Sequence, residues 1–134
     1  MLNGAREASP VTPEDVAESA TGLPEATESE PGPGMTLFKV GGKIFAVLTE
    51  ANDSRPEQVT LKCDPNLSLH LREQYPAVGP SYYARLPHWN TVVLDGTVPT
   101  DELADMIEHS WERVVAGLPR ITRDRLQRLH QGQP

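Results

Sequence analysis

One cysteine, no long apolar run and no familiar catalytic motif are the first features of this 134-residue sequence. The single thiol, Cys63, excludes an intramolecular disulfide and cannot build a thiolate zinc site alone, so nothing marks an oxidising compartment. No apolar stretch approaches the roughly 20 residues of a membrane-spanning helix. Met1–Pro10 also lacks the basic start and apolar centre of a secretory leader. A cytoplasmic protein with no membrane contact is the expectation. There is no G-x-S-x-G elbow, P-loop, dinucleotide fingerprint or H-E-x-x-H helix. Cys63 and His70 are separated by a predicted strand end and helix, which is no evidence of a dyad. The chain is therefore expected to be non-enzymatic, and no catalytic residue, metal-ligand set or cofactor is assigned.

The formal charge of −7 is unevenly spread. Residues 1–34 hold Arg6 against seven acidic residues, whereas residues 113–134 hold five arginines against Asp124 alone. An acidic total repels a polyanion at long range, so contact with nucleic acid would depend on local basic patches.

The length suits one domain with one core. A disordered segment is expected over 1–11, a single domain over 12–118, and a basic C-terminal helix and tail over 119–134. Thr12, Pro13 and Asp15 have the spacing of a capped helix start, and Val16, Ala17, Ala20 and Leu23 supply its apolar face. Gly22 and Pro24 stop it, and Glu25–Gly34, rich in Pro, Gly and Glu, reads as an exposed loop. Two apolar runs, Met35–Val40 and Lys43–Leu48, flank Gly41-Gly42, the signature of a tight hairpin with Phe38 opposite Phe45. Val59, Leu61 and Cys63 alternate as in a half-buried strand. Asp64-Pro65 caps a short helix with Leu67, Leu71 and Tyr75 on one side.

A second hairpin is expected from Ser81–Leu86 and Trp89–Leu94, joined through Pro87-His88. Thr100 is the expected N-cap of the clearest helix, whose stripe runs through Leu103, Met106, Ile107, Ser110, Trp111 and Val114. Gly117-Leu118-Pro119 ends it, Thr122 opens a short basic segment, and His130–Pro134 reads as a disordered tail. The resulting order α-β-β-β-α-β-β-α predicts an α+β two-layer sandwich, a five-stranded antiparallel sheet with helices on one face.

The segments Phe38–Ala46, Leu61-Lys62 with Pro65, and Tyr75–Val78, then His88–Val92 running into Leu94-Asp95-Gly96, and last the Leu103–Val115 helix, occur in the order found in the MmcQ/YjbR family. From about Thr12 to Leu118 the chain resembles that family. The resemblance implies a YjbR-like fold, similar to frataxin-like and secretion-chaperone-like sandwiches, and a DNA-binding role inferred from paired hairpins acting as wings. The chain departs from the family pattern in offering only Arg85 before the His88-Trp89 pair.

The leading functional expectation is weak, backbone-directed DNA binding through the hairpin tips. Lys39 and Lys43 flank the first turn, Arg85 and His88 stand at the second, and Arg120, Arg123, Arg125 and Arg128 follow behind. Lysines and arginines at such tips reach phosphates, and binding of this kind weakens steeply with salt. Trp89 is expected in the core, with Asn90 satisfying a buried backbone group. One alternative is a frataxin-like metal-handling protein using Asp101, Asp105, Glu108, His109 and Glu112, with Asp105 and His109 placed to share a cation. The other is a module that binds a small molecule or a protein in a groove between sheet and helices, with Tyr82 or Tyr83 lining it.

Overall fold

The computed structural model describes residues 11–81 and 88–132. Helix α1, Pro13–Thr21, opens on a complete capping box. The Thr12 hydroxyl accepts the Asp15 N–H at 3.1 Å and the Asp15 carboxylate accepts the Thr12 N–H at 2.9 Å, so two orphan amides of the first turn are satisfied. Val16 and Ala20 are its buried face. Of the segment expected to be disordered, Val11 lies buried in the core and the rest is outside the described residues.

The strand Thr27–Gly32, here β1, lies where a loop was expected. It pairs antiparallel with β2, Met35–Val40, through Thr27 opposite Lys39 and Ser29 opposite Leu37. A sheet edge needs only backbone pairing on one side and tolerates polar side chains and Pro31, so this strand carries no apolar alternation to betray it.

Strand β3, Lys43–Thr49, closes the expected hairpin on β2. Gly41 and Gly42 take φ values of 59° and 78°, the left-handed pair such a turn requires. The register differs from the expected one: Phe38 lies opposite Ala46 and Lys39 opposite Ile44, which leaves Phe45 as the extra residue of a β-bulge. The rings of Phe38 and Phe45 still pack at 6.5 Å, both fully buried.

Strand β4, Gln58–Lys62, leads into α2, Pro65–Gln74, then β5, Val78–Pro80, and β6, Trp89–Val93. The second antiparallel pairing exists, but its first strand ends at Pro80 rather than running from Ser81, and most of the expected Ser81–Leu86 strand lies outside the described residues. Helix α3, Thr100–Ala116, is capped at Pro99 with no side-chain bond, so Thr100 is its first residue and not its cap. Helix α4, Arg120–His130, starts two residues before Thr122 and includes His130, which the sequence placed in a tail.

Among the described residues all strand pairings are antiparallel, in the order β1-β2-β3-β4-β6-β5, giving six strands rather than five. Alternation sends Phe38, Val40, Val59, Leu61 and Val92 into one core with Leu103, Ile107 and Trp111 of α3. Helix α3 crosses β2, β3 and β4, α2 covers β5 and β6, α1 packs on α3 and β3, and α4 packs on α3. Leu126 of α4 is fully buried in that same core. Among the described residues no helix is long and apolar enough to cross a membrane.

Candidate functional site

Between α2, α3 and the β4–β6 end of the sheet lies a cavity of about 210 Å³. Leu61 and Val92 form its floor, Leu67 and Leu71 its α2 wall, and Met106 its α3 wall, so its interior is chiefly apolar. Leu67 is 38% exposed and Glu102 and Asp105 of α3 are also exposed, which sets the mouth of the cavity between the two helices. The space exists because α2 holds its apolar residues at four-residue spacing over β6, while its buried position facing the sheet is the small Ser68.

Asn90 is the polar group of this interior and is only 3% exposed. Its Oδ1 accepts from Ser68 Oγ at 2.7 Å and from Arg72 Nε at 2.8 Å. A guanidinium can only donate, so these bonds fix which end of the amide faces Arg72. The Nδ2 group is left on the other side, buried, with no hydrogen-bond partner among the described residues. A buried donor in that state costs about 1–3 kcal/mol. Arg72 also reaches the Trp89 carbonyl at 3.3 Å, tying α2 to the start of β6. Among the described residues Asn90 thus takes bonds from two side chains and satisfies no backbone group, contrary to the sequence expectation.

His109 and Cys63 complete the wall. His109 Nε2 accepts the Asp64 N–H at 3.1 Å, which requires that nitrogen to be unprotonated. Asp64 in turn caps α2 through the Asn66 and Leu67 amides, so α3 and the start of α2 are joined through one residue. Burial, reinforced by the neighbouring Asp64 charge, pushes the Cys63 thiol up to about 11. It is therefore a neutral, weakly nucleophilic wall atom at physiological pH.

The residues expected to bind DNA are partly brought together. Lys43 lies opposite Val40 and Lys39 opposite Ile44, while Ala46 pairs with Leu61 and Lys62 with Trp89. This register sets Lys39, Lys43 and His88 at the same end of the sheet, and Leu118 against Gly41 brings the α3–α4 junction there as well. Arg120 and Arg123 are both paired with Asp124, at 3.8 and 3.2 Å, and Arg125 is paired with Glu25. Arg85, Tyr82 and Tyr83 lie outside the described residues. Trp89 is half-buried on the face turned away from Asn90 and Val92, so Trp111 and not Trp89 is the core tryptophan. Its Nε1 donates to the Pro24 carbonyl at 3.1 Å.

The acidic ridge of α3 divides in two. Asp105 and His109 face the cavity, with the His109 Nε2 already engaged by Asp64. Glu108 and Glu112 instead face α4, where His130 Nε2 lies 2.7 Å from Glu108 Oε2 and 3.6 Å from Glu112 Oε2. The His130 ring rests on Trp111 with centroids 4.7 Å apart. Sequence reasoning missed His130, although its four-residue spacing from Leu126 was a signal that the helix continues.

The fold and cavity define a small α+β sandwich with an internal recess between helices and sheet. Residues 21–113 match the YjbR family model, and the chain belongs to the YjbR family. It is 36% identical over 94 residues to YjbR of Escherichia coli K12, covering 70% of this chain and 78% of that protein. It is 34% identical over 96 residues to YbdF of Escherichia coli O157:H7, covering 72% and 77%. A Deinococcus radiodurans protein with the DUF419 domain superposes with a TM-score of 0.77 at 30% identity, covering 95% of this chain and 93% of that one. A Pseudomonas syringae protein superposes with a TM-score of 0.63 at 25% identity, covering 74% and 95%.

Proposed function

We propose that this chain is a non-enzymatic binding module whose small-molecule ligand occupies the cavity between α2 and α3. The observation that carries the reading is the buried, unpartnered Asn90 Nδ2 beside an apolar recess with an open mouth. A ligand with an apolar body and a carbonyl-type acceptor would bury the first against Leu61, Leu71, Val92 and Met106 and draw toward the second the Asn90 Nδ2 edge, which is shielded in the empty recess. Ser68 and Arg72 hold the amide in place before the ligand arrives, so little ordering is required on binding.

A fragment panel of small aliphatic and aromatic carbonyl compounds tests this by thermal shift, with Cys63 alkylation as a second readout. Binders are expected to raise the melting temperature and slow alkylation of Cys63, and to lose both effects in Leu67→Trp, which plugs the mouth. A panel whose binders act equally on Leu67→Trp, or none of which binds, ends the proposal.

A second reading, backbone-directed DNA binding, is supported by the convergence of Lys39, Lys43 and His88 at one sheet end. Lys39 and Lys43 form no ion pair among the described residues, so their charges are available to phosphates. Fluorescence anisotropy of a labelled random duplex at low and near-physiological salt tests it. Binding that weakens with salt and in the Lys43→Ala, Arg85→Ala double variant supports it, and no binding at low salt rejects it.

A further inference from the structure

We infer that Glu108, Glu112 and His130 form a binding site for one divalent transition-metal ion of the zinc class, at the junction of α3 and α4. The donors come from two elements. Glu108 and Glu112 stand one helical turn apart on α3, and His130 closes α4, with one ligand atom from each lying within 4.8 Å of the other two. A zinc ion about 2.0–2.2 Å from each donor needs ligand atoms roughly 3–4 Å apart, so only small side-chain adjustments separate this cluster from a coordination shell.

The donor chemistry selects the ion. An imidazole with two carboxylates suits zinc, cobalt or nickel, whereas calcium and magnesium favour all-oxygen shells. Three protein ligands leave a tetrahedral position open. A cavity of about 160 Å³ adjoins the cluster, lined in part by Glu112, Gln127, His130 and Gln131, and gives that position room for water or an exogenous ligand.

Two further features separate this cluster from an ordinary polar helix face. Neither Glu108 nor Glu112 forms an ion pair with lysine or arginine among the described residues, so two like charges stand one turn apart with no such cation to offset them. A dication at this point would neutralise both. The imidazole is also held in advance: its ring rests on Trp111, which is 1% exposed and anchored through Nε1 to the Pro24 carbonyl. His130 lies beyond residues 21–113, so the site is not a property of the segment that matches the family model. Bound metal would fasten α4 to α3 and add to the stability of the folded state.

The test uses tag-free full-length chain, titrated calorimetrically with zinc chloride, with Cys63→Ser as a control against thiolate binding. One zinc per chain is expected, in wild type and in Cys63→Ser alike, with a raised melting temperature. Affinity is expected to fall at least tenfold in Glu108→Gln and in His130→Asn, each checked for folding by circular dichroism. In a Trp89→Phe background, cobalt is expected to quench the fluorescence of Trp111, which touches the proposed ligand His130. No zinc uptake at micromolar metal would overturn the site, and so would uptake that survives both Glu108→Gln and His130→Asn.

Discussion

The Ser110 hydroxyl donates to the Phe45 carbonyl at 2.5 Å, joining α3 to the bulged residue of β3. The same oxygen accepts the Lys62 N–H at 2.8 Å. The β3–β4 register runs from Thr49 opposite Gln58 to Ala46 opposite Leu61, and stops there, short of the bulged Phe45 and of Lys62. One fully buried serine fills that gap.

Ser110→Ala therefore strands two backbone groups in the core. Each such loss is worth about 1–3 kcal/mol, so urea denaturation is expected to show a destabilisation of roughly 3 kcal/mol. A change within experimental error of wild type would mean that the two groups find other partners and that the serine is dispensable.

The Gly41-Gly42 turn offers a paired comparison. Both residues have positive φ, so alanine at either is expected to cost about 1 kcal/mol from backbone strain. At Gly42 the added methyl meets open space, whereas at Gly41 it falls 2.7 Å from Leu118 Cδ1. Gly41→Ala is expected to be the more destabilising in thermal melts, because Leu118 must move away from the hairpin. Equal losses would show that Leu118 yields freely.

Asp95 gives an acid-side dependence. Its carboxyl lies below the usual range because the Thr97 hydroxyl, at 2.6 Å, and the Thr97 N–H, at 3.0 Å, both donate to Oδ1 and favour the charged form. With the folded value depressed, the contribution is fully present above the unfolded carboxylate value of about 3.9 and is lost as pH falls through the lower folded value. Asp95→Asn is expected to show its full stability difference from wild type near neutrality, with the two curves converging as the solution is acidified. Curves that stay parallel down to strong acid would contradict the assignment.

The core was legible because it obeys periodicity. The α3 stripe from Leu103 to Val114 and the alternation of Val59 and Leu61 each place apolar residues at intervals that only one element type can bury together. Strand β1 was illegible for the opposite reason: Thr27-Glu28-Ser29-Glu30-Pro31-Gly32 is held by backbone pairing to β2 and buries almost nothing. The Phe45 bulge hid itself too, since inserting one residue changes register without changing composition.

The candidate site was less legible than the fold. Ser110 stood in an apolar stripe, which implied a buried hydroxyl in need of partners, but the partners are backbone groups far away in sequence. Asn90 is legible as a polar residue beside a turn, yet its significance rests on Ser68 and Arg72 occupying one end of the amide and leaving the other, a relation visible only once α2 is docked. His130 joins the site only because the last helix continues through it.

Among the described residues the sheet has two outer strands, β1 and β5, and both are poor templates for a visiting chain. β1 carries Glu28, Glu30 and Pro31, and β5 is three residues long and ends in Gly79-Pro80. Charge, a missing amide and brevity each discourage strand addition, so two copies of the protein gain little by joining sheets edge to edge. A crowded solution of this protein should resist the cross-β assembly that open edges invite.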